Sequence, residues 1–241
     1  MDVSILCGGK GTRLRPLTYI VPKPLLPCGS KPILEIILTR MKEFGFSKFY
    51  LMVDYKAEMI RNYFGNGKSL GMDIEYIKEK TSRGTAGPLS VLKKRITSPL
   101  VVMNGDLLTD LDFNKMMEFH QAENADLTMA LKKYQQDIVY GTVEVDSDSR
   151  IVKLKEKPTL TFLINSGIYI LSANALSLIP DKGVYLMTDL IDQLIANGSK
   201  VVGYEFTEAW HDIGRLDNYM KNFVKEENHS DSTMDEIFGS P

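Results

Sequence analysis

A cluster of glycines directly after an apolar N-terminal segment constrains this chain more than any other feature. Val3–Leu6 is a short apolar run that predicts a buried strand, and Gly8, Gly9 and Gly11 follow it within a few positions. Glycine accepts φ > 0 and lets a ligand approach bare backbone N–H groups. Because an array of N–H donors after a strand is typical of phosphate binding, we predict a phosphate-binding loop here.

Positive charge accumulates around these glycines. No carboxylate lies between Asp2 and Glu35, although the whole chain carries a formal net charge of only −2. The cations in this interval are Lys10, Arg13, Arg15, Lys23 and Lys31. Prolines, which fix φ and restrict the preceding residue, stand at Pro16, Pro22, Pro24 and Pro27. The pattern favours a rigid anion-binding segment over a flexible surface loop.

Two common phosphate-binding motifs do not fit this segment. A Walker A motif requires a glycine, four residues and then Gly-Lys followed by Ser or Thr, which the segment lacks. A dinucleotide fingerprint that begins at Gly9 and Gly11 requires a small residue where Leu14 stands. These mismatches argue against a P-loop kinase and against an NAD-dependent enzyme.

A third signature matches throughout. Gly8–Thr18 and Pro22–Pro24 resemble the signature of the sugar-phosphate nucleotidylyltransferases, GGxGTRLxPLT followed after a short spacer by PKP. The resemblance implies an enzyme that joins a nucleoside triphosphate to a sugar 1-phosphate and releases pyrophosphate. The chain looks similar to mannose-1-phosphate guanylyltransferases and to a bacterial branch that serves legionaminic-type acid and surface-glycan pathways.

Composition limits the possible classes of protein. A length of 241 residues, 44% hydrophobic and 25% charged, is ordinary for a globular chain. No apolar run approaches the roughly 18 residues of a membrane span, and no signal peptide precedes the first strand. Cys7 and Cys28 are too few for a disulfide framework. We therefore expect a cytoplasmic protein with no nucleic-acid or membrane partner, and homo-oligomer formation stays open.

The order of strand and helix patterns predicts an α/β fold. In the first half, strands are predicted at 3–6, 49–53, 73–79 and 100–103, and helices at 32–44 with Ser30 as cap, 56–64, 88–95 and 112–122. In the second half, strands are predicted at 127–131, 141–145, 151–155, 162–171 and 200–206, and helices at 173–179, 187–196 and 216–226.

The family resemblance and these patterns imply the same architecture. We expect a Rossmann-like three-layer α/β/α fold with a mixed, mainly parallel central sheet. One domain over residues 1–227 would combine a nucleotide-binding half, about 1–125, with a sugar-binding half, about 126–227. Residues 228–241 are polar and acidic and are predicted to be disordered.

Two aspartates are candidate metal ligands. Asp106 follows the apolar strand pattern 100–103, at the sheet edge where open α/β proteins bind ligands, although an Asp after Gly is equally a turn residue. Asp212, within Trp210–Gly214, is by itself more typical of a helix cap. In the family both positions carry metal-binding carboxylates, so the resemblance implies a Mg²⁺ site on Asp106 and Asp212.

The resemblance also assigns the nucleotide contacts. They are expected at Leu6, Gly8, Gly9, Gly11, Thr12, Arg13, Gly84, Thr85, Ala86, Asn104 and Gly105. Gly84–Ala86 would line the base pocket, with backbone amides that contact the base edge. The longer form GTAGPL favours GTP, while thymidylyl, uridylyl and cytidylyl transfer stay open because a few hydrogen bonds decide the base.

Three further pieces are implied to bind the sugar phosphate. Tyr140 and Gly141 match the YG of the family, where the backbone approaches the sugar. In the EKP motif, Glu156 would accept from sugar hydroxyls and Lys157 would contact the sugar phosphate. Asn165 and Gly167 match an N-x-G pattern, and a glycine inside a strand weakens packing unless something must approach closely.

The mechanism that follows needs charge neutralisation and positioning rather than covalent catalysis. The 1-phosphate oxygen would attack the α-phosphorus in line, with Arg13 on the pyrophosphate side and Lys23 near the α-phosphate as catalytic cations. No general base is needed, because a phosphate oxygen is already nucleophilic near neutral pH. A non-catalytic sugar-nucleotide sensor is the alternative from another class, and such proteins tend to lose these charged residues.

Overall fold

A seven-stranded mixed sheet lies at the centre of the computed structural model, which describes residues 2–78, 83–214 and 219. Its strands are β1 Asp2–Leu6, β4 Lys48–Val53, β5 Asp73–Lys78, β6 Leu100–Asn104, β8 Leu127–Asp137, β11 Thr159–Leu171 and β12 Val201–Phe206. They are arranged in the order β12-β8-β11-β6-β1-β4-β5. Within this sheet β11 alone runs against its neighbours β6 and β8.

Three small ribbons complete the strands. They are β2 Pro27–Cys28 with β3 Lys31–Pro32, β7 Leu107–Thr109 with β13 Trp210–Asp212, and β9 Thr142–Val145 with β10 Ile151–Lys155. All three pairs are antiparallel. The β7–β13 ribbon matters most for function, because it brings a segment near residue 210 beside the end of β6.

Helices cover both faces of the sheet. The α-helices are α1 Ile33–Glu43, α2 Ala57–Phe64, α3 Phe113–Ala122, α4 Ala173–Ser177 and α5 Met187–Ala196. One core cluster joins α1, α2 and α3 to sheet residues such as Ile5 and Val101, and a second joins α4 and α5 to sheet residues such as Val102. Successive strand residues point to opposite faces, so β6 contributes to both cores. The three-layer, mainly parallel architecture predicted from the sequence is confirmed.

One part of the chain extends beyond the sheet. β8 loses its partner β12 after Lys132, and β11 does not meet β6 until Ile168, so between these points the two strands pair only with each other. The hairpin β9–β10 lies in the connection between them. We call residues 133–163 the arm. Its apolar side chains are largely exposed, at 61% for Val145 and 67% for Leu154, whereas Ile5 in the sheet is fully buried.

Two local predictions were wrong. Ser30 does not cap α1, because Pro27–Cys28 and Lys31–Pro32 pair around Gly29 and leave Pro32 at the N-cap. The predicted helix 88–95 is instead a 3₁₀ helix, Gly87–Leu92. Leu89 and Leu92 are both fully buried, and a spacing of three residues stacks side chains on one side of a 3₁₀ helix.

Other local predictions agree with the structure. Asp112 caps α3 through hydrogen bonds that its Oδ1 accepts from Asn114 N and Lys115 N, at 3.1 and 3.0 Å. The strand predicted at 127–131 is confirmed but continues to Asp137, and the one predicted at 162–171 begins at Thr159. The predicted helix 216–226 and the predicted tail 228–241 lie outside the described residues. No helix in the described part of the chain is both long and apolar enough to cross a membrane.

Candidate functional site

The carboxyl ends of three parallel strands open into one cavity. β4, β1 and β6 are adjacent in the sheet, and residues that end or follow them line a cavity of about 420 Å³. Leu6 comes from β1, Asp54 follows β4, and Asn104, Gly105 and Asp106 end or follow β6. This is the edge at which open α/β sheets bind ligands.

The glycine loop forms one wall of the cavity and has a fixed conformation. Gly8, Gly9, Gly11, Thr12 and Arg13 all line it. Gly11 has φ 59°, and a Cβ there would lie 2.8 Å from Thr18 Cγ2. The Thr18 hydroxyl donates to the Gly11 carbonyl at 2.8 Å, and Tyr55 OH donates to the Thr18 carbonyl at 2.9 Å. The loop therefore depends on glycine at position 11 and is supported by Thr18 and by Tyr55, which follows β4.

Two cations of this loop have no protein partner in the described part of the chain. Lys10 and Arg13 are exposed, and neither makes an ion pair or side-chain hydrogen bond there. Arg13 lines the cavity, whereas Arg15 stacks on the Tyr19 ring at 4.8 Å. A guanidinium that lines a polar cavity without a carboxylate partner is available for an anion such as a phosphate.

Lys23, Asp106 and Asp212 meet around Gly214. Lys23 Nζ forms an ion pair with Asp106 Oδ2. A point placed where a Cβ of Gly214 would be lies 2.6 Å from Asp212 Oδ1, 3.2 Å from Lys23 Nζ and 3.4 Å from Asp106 Oδ2. The cluster is therefore tight, since a side chain at position 214 would displace at least the Asp212 carboxylate, and it lies partly on the cavity wall through Lys23, Asp106 and Gly214.

Backbone pairing explains why residues more than a hundred positions apart meet here. β13 pairs with β7 so that Asp212 lies opposite Leu107, and Ile213 N donates to the Asp106 carbonyl at 3.0 Å. Asp212 Oδ1 also accepts from Gly214 N at 2.7 Å, which orients its carboxylate. Sequence reasoning had placed both aspartates in one site only through the family resemblance.

The donor set suits magnesium better than zinc. Among the described residues, no group of three or more His, Cys, Asp or Glu side chains is arranged to hold a metal. Mg²⁺ usually takes one or two carboxylates and completes its shell with water and substrate phosphates, which the Asp106–Asp212 pair fits. Mg²⁺ binding here would therefore not require that all of its ligands come from the protein.

The segment of the predicted base pocket is held by another part of the chain. Ala86 N and Gly87 N both donate to the Tyr185 carbonyl, at 3.0 and 2.9 Å, and Met187 N donates to Thr85 Oγ1 at 2.8 Å. Gly84 and Thr85 line the cavity. Ala86 is fully buried and lies behind that lining, with its amide already used.

An arginine that the sequence analysis did not single out clamps the same segment. Arg83 Nη1 donates to Ser90 Oγ at 2.8 Å and Nη2 to the Pro180 carbonyl at 2.8 Å. Its Nε also donates to the Gly183 carbonyl at 3.4 Å. The chain around residue 183 therefore supports the Gly84–Thr85 wall of the cavity.

The predicted sugar residues do not line this cavity. Tyr140, Gly141, Glu156 and Lys157 lie at the base of the β9–β10 hairpin and are exposed. They are close to one another, since Glu156 Oε2 lies 3.0 Å from the Cβ position of Gly141. The structure thus gathers them into a second group, on the arm.

Asn165 and Gly167 connect the arm to the cavity. They fall where the pairing of β11 with β8 shifts register, and Asn165 Oδ1 accepts from Gly167 N at 2.9 Å. Gly167 has φ 77°, and a Cβ there would lie 2.5 Å from Asn104 Nδ2. Glycine at this position therefore leaves room for the Asn104 side chain on the cavity wall.

Several lining residues were missed by sequence reasoning. Cys7, Met52, Asp54 and Pro88 line the cavity. Asp54 carries the same signal as Asp106, a carboxylate directly after a buried parallel strand, and could have been found by it. Cys7 gave no such signal, and its thiol is buried beneath Gly105. Burial raises the pKa of Cys7, and the nearby Asp106 carboxylate raises it further to a smaller extent, so this thiol stays protonated.

Two curated proteins are similar to most of this chain. A mannose-1-phosphate guanylyltransferase of Mycobacterium tuberculosis is 34% identical over 226 residues, which cover 92% of this chain and 63% of the relative. A UTP–glucose-1-phosphate uridylyltransferase of Synechocystis is 33% identical over 238 residues, which cover 91% of this chain and 61% of that protein. The chain therefore spans less than two thirds of the length of these curated relatives.

A solved structure matches over nearly its full length. HddC from Yersinia pseudotuberculosis, complexed with GMP-PN, superposes with a TM-score of 0.72 at 28% identity and covers 93% of this chain and 98% of HddC. The family model described as nucleotidyl transferase matches residues 3–229. That match includes the glycine loop, Lys23 and both aspartates of the site, so the chain belongs to the nucleotidyl transferase family.

Proposed function

We propose that this chain transfers a nucleotidyl group, most readily guanylyl, from a nucleoside triphosphate to the phosphate of a sugar 1-phosphate and releases pyrophosphate. The observation that carries the proposal is the Lys23–Asp106–Asp212 cluster, in which Lys23 and Asp106 line the same cavity as the glycine loop. Phosphoryl-type transfer requires groups that position the phosphates and neutralise their charge. Backbone N–H groups, unpaired cations and two carboxylates that can bind a metal are groups of this kind.

The nucleotide is proposed to lie along the glycine loop. Its phosphates would receive hydrogen bonds from backbone N–H groups between Gly8 and Arg13, and its base would lie beside Gly84 and Thr85. The apolar lining residues Leu6 and Pro88 suit the flat face of a base. Arg13 would hold the pyrophosphate part, because its guanidinium already lines the cavity and has no protein partner in the described part of the chain.

Lys23 is proposed to act at the reacting phosphates. Its ammonium is paired with Asp106 in the ligand-free chain, with 12% of the side chain exposed. The α-phosphate and the attacking phosphate are both negatively charged, so an ammonium between them lowers the repulsion that opposes their approach. A bound Mg²⁺ on Asp106 and Asp212 would supply further neutralisation of phosphate charge.

The sugar phosphate is proposed to bind through the arm. Glu156 would accept hydrogen bonds from sugar hydroxyls, and Lys157 would contact the phosphate. Both side chains are exposed, so they are free to meet a ligand that enters between the arm and the cavity. Guanine is favoured because one similar protein is named a mannose-1-phosphate guanylyltransferase and one similar solved structure is complexed with GMP-PN. Another relative is named a uridylyltransferase.

A grid of pyrophosphate-release assays tests the proposal. GTP, dTTP, UTP, CTP and ATP would each be paired with the 1-phosphates of mannose, glucose, glucosamine, N-acetylglucosamine and N-acetylmuramic acid, with Mg²⁺ present. Turnover confined to GTP supports guanylyl transfer, and the active sugar names the acceptor. Turnover with another nucleoside triphosphate would support the assignment as a nucleotidyltransferase but overturn the guanylyl assignment. Nucleotide binding without any turnover would overturn the assignment as an enzyme and favour a non-catalytic sugar-nucleotide sensor.

A further inference from the structure

One carboxylate in the cavity takes no part in the Lys23 cluster. Asp54 directly follows β4 and lines the cavity together with Met52, Gly84, Thr85 and Pro88. β4 and β6 lie on opposite sides of β1, so their ends are two strand spacings, about 10 Å, apart. Among the described residues, Asp54 does not join Asp106 and Asp212 in a group arranged to hold a metal.

The backbone on either side of Asp54 is firmly held. Val53 is fully buried at the end of β4. Tyr55 OH donates to the Thr18 carbonyl at 2.9 Å, and Lys56 Nζ donates to the Ile20 carbonyl at 2.9 Å. These bonds tie the segment to the chain that follows the glycine loop, so Asp54 has a fixed position relative to that loop.

The carboxylate itself has no protein partner in the described part of the chain. Neither a hydrogen bond nor an ion pair to its oxygens occurs within residues 2–78 and 83–214. Asp54 is partly exposed and lines the cavity, so a ligand there can supply hydrogen-bond donors that the described part of the protein does not. Polar groups in such a position gain most from a ligand that brings the missing donors.

An ionised carboxylate only accepts hydrogen bonds, which limits the bases it can favour. Guanine presents two neighbouring donors on its Watson–Crick edge, the N1–H and the exocyclic N2 amine. Uracil and thymine place a single N–H between two carbonyl oxygens, and those oxygens would be repelled. Adenine and cytosine each place an unprotonated ring nitrogen beside their amine, so they offer one donor beside one acceptor.

We propose that Asp54 selects guanine by accepting hydrogen bonds from the N1–H and the N2 amine. The proposal rests on the proposed function, because it takes the cavity to hold the base of a nucleoside triphosphate. It goes beyond that function by assigning base choice to a side chain outside the glycine loop and outside the Gly84–Ala86 segment. Gly84 and Thr85, which line the same cavity, would then contact the remaining polar groups of the base.

Wild-type protein gives a first test with inosine triphosphate, which differs from GTP only by lacking the N2 amine. A hydrogen bond to a charged group is worth roughly a 10- to 100-fold preference. We therefore expect GTP to exceed inosine triphosphate in kcat/KM by at least tenfold. Equal use of the two nucleotides would overturn the proposal without any substitution being made.

Asp54→Asn gives the sharper test, because it predicts a gain of activity. Xanthine keeps the N1–H but carries a carbonyl oxygen where guanine has its amine. An Asn amide can accept from N1–H through Oδ1 and donate to that oxygen through Nδ2. The ratio of kcat/KM for GTP to that for xanthosine triphosphate should fall by about 100-fold or more, chiefly because xanthosine triphosphate improves.

A matched control and a fold check accompany this variant. Glu58→Gln removes an exposed carboxylate of α2, paired with Lys78 at 3.2 Å, and should leave the GTP to xanthosine triphosphate ratio unchanged. Thermal unfolding should show that Asp54→Asn keeps a wild-type Tm. An unchanged nucleotide ratio would overturn the proposal. A change in the GTP to dGTP ratio instead would also overturn it and would assign Asp54 to the ribose.

The test does not depend on finding the sugar. If no sugar 1-phosphate is turned over, the dissociation constants of GTP and xanthosine triphosphate, measured by calorimetry on both proteins, give the same ratio. A reversal of that ratio would support Asp54 as the guanine-selecting residue even if the proposed transfer fails. Turnover with UTP and not with GTP would overturn the role of Asp54 and leave sugar-nucleotide transfer intact.

Discussion

The proposed nucleotide side and the proposed sugar side of the site differ in how firmly the protein holds them. On the nucleotide side, Thr18 and Tyr55 fix the glycine loop, and Asp106 holds Lys23 through an ion pair. On the sugar side, Tyr140 is 76% exposed, and the exposed Lys157 lies at the base of the β9–β10 hairpin, whose strands pair only with each other. The comparison teaches that the proposed nucleotide side is held by contacts within the free chain, whereas the strands of the arm pair only with each other.

The largest expected effect comes from the charged cluster of the nucleotide side. Asp106→Asn should lower kcat by about 10²- to 10³-fold or more, because it removes charge from both the Lys23 pair and the proposed metal site. The fold should survive, since Asp106 is partly exposed at a strand end. Asp110→Asn, in the same segment but paired with Arg40 at 3.3 Å, is the control and should keep its activity. Normal turnover by Asp106→Asn would refute the metal assignment.

A second prediction concerns the fixed shape of the glycine loop. Gly11→Ala places a Cβ at positive φ and against Thr18, so we expect a loss of about 1–3 kcal/mol in the free energy of unfolding. The KM for the nucleotide should rise about tenfold or more, because the N–H groups of the loop move. Gly9→Ala is the matched control for stability, since no heavy atom lies within 4 Å of its Cβ position. Equal unfolding curves for Gly11→Ala and wild type would show that the loop is not fixed in this way.

A substitution on the arm should act on the other substrate alone. Lys157→Met should raise the KM for the sugar phosphate by roughly tenfold, the value of one charge-assisted contact, and leave the KM for the nucleotide unchanged. Lys153→Met removes a cation of the same hairpin that pairs with Glu144 at 3.3 Å, and it should change neither constant. If Lys157→Met raises the KM for the nucleotide as well, the two sides of the site do not act separately.

The smallest expected effect tests one hydrogen bond. Tyr55→Phe removes the bond to the Thr18 carbonyl and should lower the free energy of unfolding by about 1 kcal/mol. Tyr134→Phe on the arm is the comparison, because the ring is 50% exposed and its loss of a hydroxyl should cost nothing measurable. Chemical denaturation of the two variants would measure the difference. Equal stabilities would remove the evidence that the nucleotide side is the more firmly held.

The sequence predicted those parts of the site whose residues are close together in the chain. The glycine loop follows from a strand and three glycines, whereas the position of Asp106 fitted a ligand and a turn residue equally well, and only the family resemblance decided between them. Contacts between distant segments could not be predicted, because nothing in a local pattern states which carbonyl an N–H will meet. The Tyr185 carbonyl accepts a hydrogen bond from Ala86 N, although the two residues are about a hundred positions apart in the chain. The antiparallel placement of β11 and the exposure of the arm likewise depend on the whole sheet.

Calorimetric titration of GTP with Mg²⁺ into the free protein tests the central claim most directly. The account predicts saturable binding with one site per chain and no sugar phosphate present, because the glycine loop, Lys23 and both aspartates are already in place. Lys157→Met should bind GTP as tightly as wild type, and Lys23→Met should bind it more weakly. The absence of GTP binding until a sugar 1-phosphate is added would contradict the account, since the nucleotide site would then not be preformed.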